Sequence, residues 1–273
     1  MSRKAPEAAR ASSNRWADPA VMSPAPTCVS ILILTHNAPD YVDLTIRSVA
    51  KMTNNVECEL VVLDNASEPP TRTLLHQLAD KGLIGKLRLL DHNALFSAGN
   101  NLAARMAAAH STHFLLLNSD VEVRDPGWLS RLLAIHRPGI TTYGLTLKPA
   151  RVDGWCALID ADLYRRYPLD EAHQWWWSIA KQQAQLLRDG FSVQGYREHE
   201  HYIHHFGGKS GNAFHGAQGM QLPDGEMAGW FGGREAAILD PNSVTVRALV
   251  RSLPRRIRSR LRREIATRIA KTS

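Results

Sequence analysis

Val29-Ser30-Ile31-Leu32-Ile33-Leu34-Thr35-His36-Asn37 is an apolar run that stops abruptly in polar residues. Leu60 to Leu63, Leu87 to Leu90 and Phe114 to Leu117 repeat it, with segments of amphipathic, helix-like spacing between them. Starts near 29, 60, 87 and 114 give a repeat of about 27 to 31 residues, the length of a strand, a crossover helix and a return. Runs rich in Val, Ile and Leu on both faces are what buried parallel strands look like. The spacing predicts an α/β fold built on a mostly parallel, doubly wound sheet. Ligands of such sheets sit beyond the carboxyl ends of the strands, where the strand order reverses. The residues that follow each run therefore carry the functional reading.

Over the whole chain the composition is that of a globular protein, with 273 residues, 44% of them hydrophobic and 22% charged. Cys28, Cys58 and Cys156 are too scattered for a zinc ribbon or a redox dithiol, and a reducing compartment fits them. The longest apolar runs are strand-sized, well short of the roughly 20 residues that span a bilayer. The formal net charge of +7 is unevenly spread: Arg247 to Lys271 holds ten Lys/Arg against the single acid Glu264. With the few basic residues of 1–27 set aside, the middle of the chain is mildly acidic. A body of that sign does not present the basic face that duplex nucleic acid requires, so no nucleic-acid partner is expected. Residues 1–27, rich in Ala, Ser and Pro, lack the apolar run of a signal peptide and read as a disordered leader.

Every run ends in polar residues: Thr35-His36-Asn37, Asp64-Asn65-Ala66-Ser67, Asp91-His92-Asn93 and Asn118-Ser119-Asp120. Asn, Asp and Ser are good turn and N-cap residues, which is the plain reading of any one of these sites. No loop carries the Gly-x-Gly-x-x-Gly of a dinucleotide site or a P-loop, so a bound phosphate needs another neutralising partner. Asn118-Ser119-Asp120 offers one. Two oxygen donors at the end of a buried strand suit Mg²⁺ or Mn²⁺, completed by phosphate oxygens.

Val29 to Asn37, Leu60 to Ser67, Asn93 to Asn101 and Phe114 to Val121 resemble, in order and spacing, the family 2 glycosyltransferases, including bacterial rhamnosyltransferase-like members. The likeness covers roughly residues 28 to 212. It implies a GT-A nucleotide-diphospho-sugar transferase fold and inverting transfer of a sugar from a UDP, dTDP or GDP donor. By the same resemblance Thr35 and Asn37 lie against the nucleoside, and Asp64 hydrogen-bonds the base. Asn93, Phe96, Gly99 and Asn101 match the loop flanking the donor. Asn118 and Asp120 match the metal-binding Asp-x-Asp signature, with Asn in its first place. Gly154 and Trp155 match a segment facing donor or acceptor. His205-Phe-Gly-Gly-Lys-Ser210 resembles the closing motif, whose His (His205, with His204 the alternative) completes the metal site while Lys209 reaches the diphosphate.

The second half departs from the family. Its usual general base is an Asp in a Glu-Asp pair at the start of the helix that ends before Gly190, and those positions hold Ser178 and Ile179. Asp170 and Glu171 are the nearest carboxylates and stand as the candidate catalytic pair, although Asp170 equally suits an N-cap. A non-catalytic nucleotide-sugar or glycan-binding relative is the alternative. Trp175-Trp176-Trp177 cannot all face one pocket, because neighbouring helical residues point about 100° apart. The histidines from His199 to His215 have spacings that suggest a zinc site, without a supporting framework.

Residues 213–245 read as a flap or linker. In 246–273, Leu249, Leu253, Ile257, Leu261, Ile265 and Ile269 recur every fourth residue among arginines, predicting a basic amphipathic C-terminal helix. Such a helix suits an anionic membrane surface, with packing on the body or self-association as the alternatives; taken with the resemblance, the membrane reading implies a cytoplasmic enzyme, peripheral on the plasma membrane, that acts on a glycan or lipid-linked acceptor in cell-envelope polysaccharide assembly.

Overall fold

The computed structural model describes residues 27–147, 149–197, 199–209 and 218–239. The leader through residue 26, Ser210, His215 and the basic tail of 246–273 lie outside the described residues. The first half alternates strand and helix: β1 (Cys28–Thr35), α1 (Pro39–Met52), β2 (Glu57–Asp64), α2 (Pro69–Asp80), β3 (Lys86–Leu89), α3 (Leu95–Met106) and β4 (His113–Asn118). Then come β5 (Val121–Val123), α4 (Trp128–Ile135), β6 (Gly139–Thr142), β7 (Leu145–Thr146), β8 (Arg151–Val152), β9 (Cys156–Asp160) and α5 (Ala161–Arg166). The second half closes with α6 (Trp176–Arg188), β10 (Ser192–Tyr196), β11 (Ile203–His205), α7 (Glu226–Phe231) and β12 (Ala237–Leu239).

Eight strands form one sheet in the order β12-β10-β6-β9-β4-β1-β2-β3. All pairings are parallel except those of β9, which runs antiparallel to both β4 and β6. The winding reverses between β1 and β4, and the crevice between their carboxyl ends is where such a sheet binds ligands.

Side chains alternate across the sheet with period two, and two cores result. Ile31, Ile33, Val62, Leu115 and Leu158 pack under α1, α2 and α4. Leu32, Val61, Leu63, Leu116 and Ile159 pack under α3, α5 and α6. Strands covered on both faces are mostly apolar along their length, with few buried polar residues such as Ser30 and Thr141, and the polar residues that line the cleft gather at their ends. Gly99 serves this packing: a Cβ there would lie 2.7 Å from a Leu34 methyl, so glycine lets α3 sit close on β1.

The expected boundary at 212 and the flap or linker of 213–245 need correction for their described part. Residues 218–239 pack into the body: Phe231 of α7 joins Ala180 and Ala184 of α6, and β12 extends the sheet beside β10. Three small or apolar side chains and a strand edge bury better against the sheet than in solvent.

Candidate functional site

Two adjoining cavities open at the carboxyl ends of β1 and β4. The first, of about 640 Å³, is walled by Thr35, His36, Asn65, Asn93, Phe96, Asn100, Asn118 and Asp120, among others. The second, of about 760 Å³, is walled by Asp153, Gly154, Trp155, Trp176, Ile179, His205 and Gly208. Phe96, Asn118, Asp120, Gly154 and Trp175 belong to both. Phe96 and Trp175 stack with centroids 5.2 Å apart and form the apolar part of the partition.

The polar part is built by strand register. After β4 the chain passes Asp120 into β5, and β11 pairs antiparallel with β5 so that His205 lies opposite Val121. This brings His205 Nε2 to 3.2 Å from Asp120 Oδ1 and 3.3 Å from the Asn118 amide nitrogen. His204, one residue earlier, points the other way and meets Glu200 at 2.7 Å. Period-two alternation thus decides between the two histidines. Trp155 stacks on the His205 ring at 4.8 Å and holds its plane. Burial by itself would raise the Asp120 carboxyl, but the hydrogen bond and charge of His205 and the Lys209 backbone N–H hold it below the usual carboxylate range. An ionised carboxylate, an amide and an imidazole converging at the seam of two cavities are donors that fit a hard divalent cation.

Several residues expected to touch a ligand are held by hydrogen bonds and contacts within the fold. Asp64, expected at the base, is fully buried and accepts from Thr35 Oγ1 at 2.9 Å, from Ser67 N at 3.0 Å and from Ser67 Oγ. Asn37, at φ 56°, receives Glu68 N on its side-chain oxygen at 2.8 Å and braces the same turn. Asn101 points away from the cavity and ties α3 to Leu169, Tyr164 and Glu171, while its neighbour Asn100 faces the cavity. On a helix a shift of one residue turns a side chain by about 100°. Lys209 Nζ sits over the Tyr41 ring, 5.4 Å from its centroid, and it is the backbone N–H of Lys209 that meets Asp120, at 3.3 Å.

The candidate base pair is also displaced. Asp170 accepts from Lys181, from His173 Nδ1 at 3.1 Å and from Ala172 N at 3.0 Å; Glu171 is exposed and bonded to Asn101. Neither lines either cavity. Nor is Asp170 the N-cap of α6, a place taken by Trp175 at φ 51°. Desolvation would raise the Asp170 carboxyl, yet the Lys181 ammonium and its other donors pull it low, which suits an ion pair and not a proton acceptor.

Asp153 is the carboxylate, besides Asp120, that lines the second cavity. Burial raises its carboxyl above the usual range, with the charge of His205 opposing. It adjoins Gly154, where a Cβ would come within 2.5 Å of Ile179 Cγ1, so Asp153 stands beside the face of α6 that Ile179 occupies. Sequence reasoning did not single out Asp153. It missed Asn65 too, which takes Ala94 N at 2.7 Å and gives to Leu95 O at 3.2 Å, fixing the third loop.

Comparison with known proteins places this arrangement. A mannosyltransferase from Pyrobaculum calidifontis, solved with GDP-Man and Mn²⁺, is similar to 60% of this chain over 52% of its own, at a TM-score of 0.51 and 15% identity. With the sheet order and the cleft, that likeness defines the class as the GT-A glycosyltransferase fold. Residues 30–139 match the model of glycosyl transferase family 2. The O-antigen biosynthesis protein RfbC of Myxococcus xanthus is 36% identical over 121 residues, 44% of this chain and 9% of that protein. Protein y4gI of Sinorhizobium fredii is 35% identical over 123 residues, 44% of this chain and 13% of its own. The chain thus spans about a tenth of the length of the curated relatives it matches. Among the described residues no helix is long and apolar enough to cross a membrane.

Proposed function

We propose that this protein transfers a sugar, with inversion, from a nucleoside-diphosphate donor to a hydroxyl of a glycan or lipid-linked acceptor in cell-envelope polysaccharide assembly. The observation that carries the reading is the Asn118, Asp120 and His205 cluster at the seam of the two cavities. The first cavity, with Asn65, Asn93 and Asn100 on its walls, takes the nucleoside. Asn118, Asp120 and His205 would hold Mn²⁺ or Mg²⁺, which when bound neutralises the diphosphate and stabilises it as leaving group. The second cavity takes the acceptor against Trp176, and Asp153 accepts the proton of its attacking hydroxyl. A carboxyl raised by burial is the better base at neutral pH, since its pKa approaches that of the medium. The likeness to RfbC supports the envelope setting, and the basic tail supplies the membrane contact in the same reading.

Calorimetry with UDP, dTDP and GDP, with and without Mn²⁺, tests the site on the full chain and on Asp120→Ala. One nucleotide should bind in a metal-dependent way and fail in the variant; no binding of any of them would remove the reading. With the matching sugar donors, Asp153→Asn should keep nucleotide affinity and lose roughly 10²- to 10⁴-fold in turnover, the usual weight of a general base. Asp170→Asn and Glu171→Gln should retain it. Binding without turnover in the wild-type chain would favour a non-catalytic, sugar-nucleotide-binding role.

A further inference from the structure

At the other end of β4, five residues and roughly 16 Å of strand from Asn118, the sheet carries a second polar cluster. His113 opens β4, and Asp160 closes the antiparallel β9 directly opposite it. Residues paired in this way present their side chains on the same face. That face is the one covered by α4, since Leu115 and Leu158, two positions along, pack with Trp128 and Leu132. His136 follows immediately after α4 and brings a side chain only 6% exposed onto the pair.

A ligand atom from each of the three residues lies within 4.8 Å of the other two. His136 Nε2 and Asp160 Oδ2 are 3.1 Å apart, and the two imidazoles meet edge to face at 77°. Each group is also held from behind. Thr112 Oγ1 lies 2.9 Å from His113 Nδ1, Thr141 Oγ1 lies 2.9 Å from His136 Nδ1, and Gly139 N donates to Asp160 Oδ2 at 2.7 Å. Among the described residues the remaining nitrogen of His113 has no hydrogen-bond partner. His113 is oriented as metal-ligating histidines are, one ring nitrogen fixed by an outer partner and the other left for the ion, whereas His136 Nε2 meets Asp160 in a contact the ion would replace.

We propose that His113, His136 and Asp160 form a second metal site, one for Zn²⁺. Two imidazole nitrogens and one carboxylate oxygen suit this borderline ion better than Mg²⁺ or Mn²⁺, which favour all-oxygen sets. Asp160 also lines a hollow at this end of the sheet. The ion would tie the turn after α4 to the edges of β4 and β9, far from the sugar-transfer cleft and independent of it.

The test uses the full chain without a histidine tag, stripped by a chelator and carrying Asp120→Ala so that the other candidate cation site is silent. Zn²⁺ is titrated against a chromophoric chelator, and the melting temperature is followed with and without the metal. One equivalent should bind, with a rise in melting temperature. His113→Gln and Asp160→Asn should each weaken binding at least a hundredfold and abolish that rise, and Thr141→Val should weaken it roughly tenfold, as loss of an outer partner does. If His113→Gln does not fold, Asp160→Asn, which keeps an acceptor for Gly139 N, carries the test. No zinc uptake at micromolar concentration, or uptake untouched by both ligand substitutions, would overturn the proposal.

Discussion

Asp64→Asn separates the base contact that the resemblance implies from the internal support that the structure shows. In the wild-type chain Asp64 is sealed from solvent and accepts three hydrogen bonds. The backbone N–H of Ser67 cannot turn away, so the asparagine oxygen must stay opposite it. The amide nitrogen then faces the hydroxyls of Thr35 and Ser67, both of which had been donating. Ser67 Oγ is already receiving Asn37 N at 2.7 Å, so its proton has few other places to go. Two charge-assisted bonds are lost, each about 1.5–3 kcal/mol, and part is regained from the amide, which leaves a destabilisation of roughly 2–4 kcal/mol. Denaturant unfolding should show this as a lower midpoint at unchanged slope. Nucleotide affinity, measured by calorimetry below the transition, should fall less than tenfold, because Asp64 lies behind the cavity wall. Stability within about 0.5 kcal/mol of wild type, the range of a neutral surface change, together with a hundredfold loss of affinity, would refute the reasoning and return Asp64 to the base.

His205→Ala removes the imidazole from both Asn118 and Asp120, and Mn²⁺-dependent nucleotide binding should weaken by roughly ten- to a hundredfold, on the scale of lost metal-site partners; calorimetry with and without Mn²⁺ reads it. Gly154→Ala places a Cβ 2.5 Å from Ile179 Cγ1. Overpacking of this kind costs about 1–3 kcal/mol, and Ile179→Ala in the same chain should recover part of it in a double-mutant cycle. Acid should destabilise the metal-free protein in a defined window. Burial, with the neighbouring His136 next and Asp160 opposing, lowers His113 from 6.5 to about 4. A depressed histidine contributes stability above its unfolded value that is lost as pH falls from about 6.5 toward 4, here about 2 kcal/mol after allowing for partial solvent contact. Urea midpoints should drop across that range in wild type and stay flatter in His113→Gln.

The fold was legible because buried parallel strands leave a simple mark: apolar on both faces, polar at the end, repeated at the length of a βα unit. The approximate places of Thr35, Asn93, Asn118 and Asp120 followed, since they are the first residues past those ends. Sequence could not say which polar residue at a strand end faces a ligand and which holds the loop. Asp64 and Asn65 are neighbours with opposite assignments, as are Asn100 and Asn101, and the difference is one step of backbone rotation. Asp170 and Glu171 were the carboxylates nearest along the chain to the vacant base position, yet nearness along the chain says nothing once a lysine from the next helical turns has claimed one of them. Asp153 was far from that position in sequence and beside it in space.

What the chain determined by itself was therefore its periodicity and its chemistry: a doubly wound sheet, a carboxylate and an amide at one strand end, no carboxylate at Ser178 and Ile179, a basic tail. The tertiary structure decided the partnerships. Antiparallel pairing of β11 with β5 selected His205 over His204, and pairing of β9 with β4 set Asp160 against His113 at the opposite end. Hydrogen bonds and packing act over a few ångströms in space, and contacts between residues 80 or more positions apart exist only after the sheet has closed.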